Sequence, residues 1–320
     1  MKLYVSPISK KVTDAVLEFN SASEKKIGLI PSRRQVEWDG GYSNNWTTAG
    51  LREYVSSSTV IKRDHAGPSQ GKNEDDGYES LCYDCLHFNL IHIDPWKAYP
   101  KYEEGLEWTK DMINFCYAIN PNVHYEIGTE ESIRKFSPQG LDNLVWDLSQ
   151  ALSPASFAQI KYLVVQSGTA LEGNKNIGTY DKARLSEMIE VCKYNGLLSK
   201  EHNGDYLPPA LIKEKFELGL DSINIAPEFG QIETKVYLDK IKEEKPHLLE
   251  TFYKICYVSK KWEKWVGEDF NPTTEKEKLI NICGHYVLSD DSFLNDIKHH
   301  FTDIDFEIKK NILVKLHELS

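Results

Sequence analysis

The chain has 320 residues, 40% of them hydrophobic and 27% charged, and these values are typical of a globular protein with a large core. Its formal net charge of -11 argues against a surface for nucleic acid or for an anionic membrane, and we expect neither partner. The sequence shows no N-terminal apolar run of signal length and no segment long enough to cross a bilayer, so the expected compartment is the cytoplasm.

Short apolar segments alternate with amphipathic segments along the first two thirds of the chain. This alternation, at a spacing of about 30 residues, predicts parallel strands joined by helices. An eighth strand is less clearly marked, and residues 2–5 are assigned as an edge strand or an additional strand. The predicted strands lie at 26–30, 60–63, 89–94, 123–127, 161–165, 197–200 and 222–226, with helices at 12–19, 47–55, 102–119, 141–152, 180–194 and 208–216.

Seven or eight such units favour an α/β fold of the (β/α)8 TIM type over an open doubly wound sheet, and no GxGxxG motif supports a dinucleotide fold. From about residue 234 the pattern becomes entirely helical. We therefore expect a barrel domain carrying the site at 1–233 and a helical C-terminal extension at 234–320. The extension is expected to cap the barrel, to form a subunit interface, or to do both. Its predicted helices are 235–241, 248–259, 275–288 and 306–319.

Polar residues follow several of the predicted strands, and the carboxyl ends of barrel strands meet at one rim. His65 and His202 are the best metal-ligand candidates and Glu126 is third, because His and carboxylate groups from separate strands suit an open site. His92 lies in an apolar run, where a histidine is more often a hydrogen-bonded core residue. On a regular strand, Asp64 points away from its neighbour, and its expected role is base or orienting partner.

Two further segments are candidates for holding an anion. Arg33 and Arg34 follow a strand and fit bidentate binding of phosphate or carboxylate, although a solvent-exposed pair is the alternative. Ser167 and Gly168 also follow a strand, and their backbone N–H groups suit a phosphate, although an ordinary loop explains them equally well.

Short motifs in order along nearly the whole chain resemble one family, the tagatose-bisphosphate aldolase accessory subunits, which are zinc-aldolase-like barrels often labelled non-catalytic. RQVEWDGGY at 34–42 resembles the family segment NQVNQxGGY, and RDHAGP at 63–68 resembles GGDHLGP. EIGTE at 126–130 looks like xIGTE. Further matches are HID at 92–94, VVQSG at 164–168, EHNGDY at 201–206 and GHYVLSD at 284–290, which resemble HLD, VVQPG, EAHSTDYQ and KYSYSDR.

The resemblance implies a class II aldolase-like barrel, in which a divalent metal, usually Zn²⁺, polarises a ketose-phosphate carbonyl and stabilises the enediolate. It carries over Asp64, His65, Glu126 and His202 as site residues. The chain departs from the family at Arg34, where the family has asparagine. It also has Lys62 and Arg63 where the family has two glycines, and Ser167 where the family has proline. The added cations imply a different or more anionic substrate than tagatose bisphosphate.

Two hypotheses of function follow. In the first, the protein is a metal-dependent aldolase of carbohydrate metabolism that cleaves or forms a carbon–carbon bond in a sugar phosphate, with Zn²⁺ or another divalent metal; an epimerase would use the same parts. In the second, it is a non-catalytic subunit that stabilises a separate aldolase chain; a homo-oligomer also remains open. We favour the enzyme, because nothing in a packed barrel requires the Asp-His group. The candidate residues are Asp64, Asp205 and Glu130 for catalysis, Arg33, Arg34, Gln166, Ser167 and Gly168 for substrate and phosphate, and His65, Glu126 and His202 for metal.

Overall fold

The computed structural model describes residues 2–55 and 57–320. Within these residues, eight parallel strands form a sheet, and their order across it is 28–29, 2–5, 222–225, 198–201, 160–165, 124–127, 90–93 and 62–66. Isolated bridges from Leu29 to Ile61 and from Ser32 to Asp64 join the two ends of this sheet, so the barrel is nearly closed. The strands are β1 Lys2–Val5, β2 Gly28–Leu29, β3 Lys62–Ala66, β4 Leu90–Ile93, β5 His124–Ile127, β6 Ile160–Val165, β9 Leu198–Glu201 and β10 Ser222–Ile225, and the antiparallel pair β7 Leu171–Glu172 and β8 Lys175–Asn176 follows β6.

Helices surround the barrel, and several begin where the sequence supplies a side-chain cap. Ser9, Thr47, Ser137 and Asp181 each accept a hydrogen bond from a backbone N–H in the first turn of their helix. The helices are α1 Lys10–Ala22, α2 Thr48–Tyr54, α3 Tyr78–His87, α4 Tyr102–Ile119, α5 Pro138–Ala151, α6 Pro154–Phe157, α7 Lys182–Tyr194, α8 Pro209–Glu217, α9 Pro227–Glu244, α10 Leu249–Ser259, α11 Lys276–Cys283, α12 Asp291–Asp296 and α13 Ile304–Leu319. The predicted barrel with C-terminal helices is thus confirmed.

The N-terminal segment is an integral strand of the barrel. The sequence left residues 2–5 as an edge or additional strand, whereas β1 pairs on one side with β10 and on the other with β2. Its apolar residues are buried on both faces of the sheet, as parallel barrel strands require.

The C-terminal helices pack closely on the barrel. Helix α9 begins at Pro227, so position 234 lies inside one continuous helix, and α12 was not predicted from the sequence. Helix α13 packs on α1 and α9. Lys11 of α1 forms an ion pair of 3.0 Å with Glu233 of α9, which ties the extension to the first helix of the barrel. In the part of the chain described, no helix is both long and apolar enough to span a membrane.

The barrel interior contains a layer of polar side chains. Residues two apart on a strand point to the same side, and Lys62 and Lys200 each precede a residue of the barrel mouth by two positions. The ammonium of Lys200 lies 2.7 Å from Glu126 Oε2. The ammonium of Lys62 has no hydrogen-bond partner among the described residues and lies 4.0 Å and 3.2 Å from the ring centroids of Tyr4 and Tyr162. Burial lowers the pKa of Lys62 well below its ordinary value.

Arg63 points the other way, out of the barrel and into the surrounding helices. Its guanidinium is fully buried and forms two hydrogen bonds, of 2.8 Å and 2.6 Å, with the carboxylate of Asp84 on α3. It also donates to the carbonyl of Val36 at 2.7 Å. The charged sequence Arg63-Asp64-His65 therefore divides into one structural cation and two residues that face the barrel mouth.

Candidate metal and catalytic site

An irregularity in β3 brings Asp64 and His65 to the same side of the sheet. The register of β3 against β4 shifts between Arg63 and Ala66, and His65 has a φ of 48°. Adjacent residues of a regular strand face opposite ways, but a bulge re-aims one of them. The expectation that Asp64 points away from His65 holds only for a regular strand. Here His65 Nε2 lies 4.0 Å from Asp64 Oδ2.

Three histidines and one aspartate converge at this mouth. Asp64, His65, His92 and His202 each offer one ligand atom, and these atoms all lie within 4.8 Å of one another. The ring centroids of the three histidines are 4.8 Å to 5.1 Å apart. They come from β3, from β4 and from the segment after β9. The side chain of His65 is 18% exposed, so the cluster is accessible from solvent.

Buried carboxylates orient two of these rings. His65 Nδ1 lies 2.5 Å from Asp94 Oδ2, and His202 Nε2 lies 2.7 Å from Glu126 Oε1. The opposite nitrogens, His65 Nε2 and His202 Nδ1, therefore face the centre of the cluster. The nearest carboxylate oxygen to His202 Nδ1 belongs to Asp64, at 3.7 Å, which is beyond hydrogen-bond distance. Such carboxylate–histidine pairs typically fix the tautomer of a metal-ligating ring.

The centre is strongly negative. Burial alone lowers the pKa of His65, but Asp64, Asp94 and Glu130 outweigh it and raise that pKa to about 10. Glu130 Oε2 is 3.8 Å from His65 Nε2 and accepts a 2.7 Å hydrogen bond from Asn203. A field that stabilises a protonated imidazole also stabilises a metal cation, so the residues present fit a divalent ion.

Glu126 lies behind the cluster, where its position differs from that of a direct ligand. Its two oxygens are engaged by His202 Nε2 and by the ammonium of Lys200, each at 2.7 Å. Burial opposes its ionisation, but Lys200 and the two histidines His92 and His202 hold the pKa of Glu126 well below its usual range. In this arrangement Glu126 orients His202.

His92 uses both of its nitrogens within the protein. Nε2 lies 2.9 Å from the carbonyl oxygen of Gly128, and Nδ1 accepts a longer 3.3 Å hydrogen bond from the backbone N–H of His65. Burial lowers its pKa to about 4, so the ring is neutral. These contacts are those of a hydrogen-bonded core histidine that also borders the cluster.

Asp205 follows β9 and lies outside the cluster, with its carboxylate at the start of α9. Its Oδ1 accepts 2.9 Å hydrogen bonds from the backbone N–H groups of Ala226 and Glu228. Burial, and next the nearby carboxylate of Glu228, raise its pKa to about 8. The carboxylate thus accepts from two backbone N–H groups at the N-terminus of α9, which have no partner within the helix.

Of the two arginines, Arg34 has the more open position. Arg33 is 2% exposed, and its guanidinium contacts Glu37 at 2.7 Å and Asp75 at 2.5 Å. Arg34 is exposed, and its Nε donates to the carbonyl of Gly71 at 3.2 Å.

The segment after β6 is largely occupied by internal contacts. The amide of Gln166 donates to the carbonyls of Thr129 and Arg134 and accepts from the N–H of Phe136 and from Arg184. Ser167 Oγ contacts Glu201 and accepts from Lys215 at 2.6 Å. Gly168, with φ of 88°, lines a surface cavity of about 440 Å³.

Sequence reasoning did not assign roles to Asp94, Lys200 or Asn224, which hold His65, Glu126 and Asp64. Asn224 Nδ2 donates to Asp64 Oδ1 at 3.2 Å. The period of two along strands was the available signal, since Asp94 follows His92 by two residues and Lys200 precedes His202 by two.

A scan of protein-family models finds no match to this chain, and a search of curated proteins finds none either. Solved structures do match its fold. A probable tagatose 6 phosphate kinase from Sinorhizobium meliloti 1021 aligns with a TM-score of 0.74 and 14% identity, over 99% of this chain and 98% of that one. The YdjI aldolase from Escherichia coli K12 aligns with a TM-score of 0.59 and 12% identity, over 99% and 90%.

The fructuronate-tagaturonate epimerase UxaE from Cohnella laeviribosi aligns with a TM-score of 0.61 and 10% identity, over 99% of this chain and 81% of that one. At such identities the likeness shows the fold alone. It shows the barrel fold and does not single out the accessory-subunit family. The chain therefore has the barrel fold of proteins described as aldolases and as a sugar epimerase.

Proposed function

We propose that this protein is a metal-dependent, class II aldolase-like enzyme that acts on a phosphorylated sugar. The observation that carries the proposal is the convergence of His65 Nε2, His202 Nδ1 and the Asp64 carboxylate at the carboxyl ends of barrel strands, where barrel enzymes have their active sites. The YdjI aldolase supports the same class of chemistry by analogy of fold.

The ligand set that we propose is His65, His202 and a third group. Asp64 and His92 are the two candidates in the cluster for that third position. His92 would have to release its 3.3 Å hydrogen bond from the N–H of His65, so Asp64 is the simpler choice. A bound Zn²⁺ or similar divalent ion supplies a Lewis acid that polarises a substrate carbonyl.

Glu130 is the proposed proton carrier, and Asp64 shares that task if His92 is the third ligand. Retro-aldol cleavage removes the proton of the hydroxyl on the β carbon, breaks the bond between the α and β carbons so that the β carbon becomes a carbonyl, and returns a proton to the α carbon. Glu130 lies beside the cluster and reaches solvent, and Asn203 and Ser132 hold its two oxygens at 2.7 Å and 2.6 Å. A carboxylate fixed in this way can move a proton at one defined position.

An epimerase is the second candidate, because one solved neighbour is described as a sugar epimerase and two carboxylates flank this centre. Epimerisation would use the same groups to remove and return a proton at one carbon. Product analysis separates the two reactions, since cleavage yields two fragments and epimerisation yields one isomer of the same mass.

The test begins with metal content of the purified, untagged protein beside its His65→Ala and His202→Ala variants. The control is His247→Ala, which removes an exposed histidine far along the chain in the turn Pro246–Leu248. We expect one divalent ion per chain in wild type and control, and loss of that ion in both site variants.

A screen of ketose phosphates for cleavage and for isomerisation follows on the metal-loaded protein. Turnover that vanishes in His202→Ala but persists in His247→Ala supports the enzyme. No metal after zinc is supplied, together with co-purification of an aldolase chain, would instead establish the accessory subunit.

A further inference from the structure

Three cations at the barrel mouth form no ion pair with the part of the chain that the structure describes. Arg34 follows β2, Lys97 follows β4, and Lys264 belongs to the C-terminal turn Glu263–Trp265. Within residues 2–55 and 57–320, none of the three forms an ion pair, whereas the adjacent Arg33 is held by Glu37 and Asp75. The chain has a net charge of -11 and therefore an excess of carboxylates, yet none of those described pairs with these three cations.

A chain of contacts links Lys264 to the segment that carries Arg34. The ammonium of Lys264 lies 5.2 Å from the ring centroid of Tyr286, and the Tyr286 ring lies 5.0 Å from that of Tyr42. The backbone N–H of Tyr42 donates to the carbonyl of Arg34 at 3.0 Å. The C-terminal extension therefore presents Lys264 to the segment that carries Arg34.

Gln70 and Gly71 link Arg34 to the segment that carries Lys97, and burial, followed by the charge of Arg34, lowers the pKa of Lys97. Arg34 Nε donates to the carbonyl of Gly71, and Gln70 donates to Asp94 at 3.3 Å, three residues before Lys97. Lys97 and Arg34 are both exposed.

Electrostatics agrees with this proximity. Desolvation, and next the cations Arg34, Lys261 and Lys97, lower the pKa of Lys264 to about 8, while Glu130 raises it. Glu130 is the carboxylate 3.8 Å from His65, so the cationic group borders the candidate metal centre.

We propose that Arg34, Lys97 and Lys264 form a subsite for the phosphate group of the substrate, with the C-terminal extension supplying one of its three cations. Arginine offers a planar fork for two phosphate oxygens, and the two lysines act as point charges. This inference rests on the proposed function, because it places one end of the sugar phosphate at the rim and its carbonyl end at the histidine cluster.

The first test is calorimetric titration of inorganic phosphate into the metal-free protein, which excludes binding to an ion. Wild type is compared with Arg34→Ala, Lys97→Ala and Lys264→Ala, and with the control Lys310→Ala. Lys310 is exposed on α13 and, in the described chain, has no ion pair. We expect each site variant to weaken binding by about tenfold, since each loses a charge-assisted contact, and the control to match wild type.

Lys264→Arg keeps the positive charge at that position, so we expect it to restore the phosphate binding that Lys264→Ala loses. Unchanged phosphate affinity in all three alanine variants would overturn the subsite, even if the protein binds metal and cleaves sugar phosphates. Conversely, phosphate binding that is lost in these variants of a protein that takes up no metal would leave the subsite standing and reject the proposed enzyme.

Discussion

The two buried lysines inside the barrel should respond in opposite ways to the same substitution. Lys62 and Lys200 are both inaccessible, and both ammonium groups lie near the ring of Tyr4, at 4.0 Å and 5.2 Å from its centroid. Lys200 is paired with Glu126, but Lys62 has no hydrogen-bond partner in the described chain. Methionine has a similar length and no charge, so it removes the amine of each residue while retaining most of the packing.

For Lys62→Met the structure predicts a gain in the free energy of unfolding. A buried donor without an acceptor costs about 1–3 kcal/mol, and the substitution removes that cost. The opposing effect is the attraction of a charged ammonium for the rings of Tyr4 and Tyr162, which reaches about 2 kcal/mol only when the group is charged. Burial, and next the charge of Lys200, lower the pKa of Lys62 well below its ordinary value, which favours the neutral amine and so weakens its attraction to the rings. We therefore expect a stabilisation of about 1–2 kcal/mol.

For Lys200→Met the structure predicts a loss. The substitution leaves Glu126 buried with an uncompensated charge, and breaking a buried pair in this way costs about 3–5 kcal/mol. Urea unfolding followed by circular dichroism measures both variants, with equal slopes as the check that the unfolded states are comparable. A Lys62→Met protein destabilised by more than 1 kcal/mol, or a Lys200→Met protein as stable as wild type, would refute this reasoning.

Three other substitutions test separate parts of the structure. Asp94→Asn should weaken zinc affinity by about 10- to 100-fold, measured by competition with a chelator, because Asp94 orients the His65 ring; an unchanged affinity would remove Asp94 from the site. Arg63→Met should lower the free energy of unfolding by about 3–5 kcal/mol, because it leaves Asp84 buried and unpaired, and a loss below 1 kcal/mol would contradict this. Asp205 has a pKa raised to about 8 in the folded state, so the folded chain holds a proton there that the unfolded chain releases above about pH 4. Its contribution to the free energy of unfolding is therefore full below pH 4 and declines up to about pH 8, by at most about 1.4 kcal/mol per pH unit. Asp205→Asn should flatten this part of the plot of stability against pH. An unaltered slope would show that other groups cause it.

The sequence predicted the barrel because its strands are apolar, short and regularly spaced, and these properties depend on local residues. The pairing of β1 with β10 joins residues about 220 positions apart and could not be read from a local pattern. The same limit applies to side-chain roles. Glu126 and His202 were expected at one rim, but only the fold shows that Lys200 and His202 both contact the Glu126 carboxylate.

Backbone irregularity was the other property that the sequence did not reveal. Nothing in the sequence Arg63-Asp64-His65 indicates that His65 has a positive φ. On a regular strand, Asp64 and His65 would face opposite sides of the sheet. Arg33 and Arg34 also look equivalent in the sequence. They differ because Asp75, 42 residues away, folds back onto Arg33 and leaves Arg34 exposed.

The position of β1 has a consequence for how the chain is made. The first strand pairs with β10, so the ribosome must release more than 220 residues before the barrel can close. At a synthesis rate of 5–20 residues per second, this wait lasts roughly 10–45 s. During that time the edge of β1 that later pairs with β10 remains open, and such edges promote pairing between chains. A chain interrupted before residue 222 therefore lacks the strand that β1 requires, and we expect it to aggregate rather than fold as a smaller barrel.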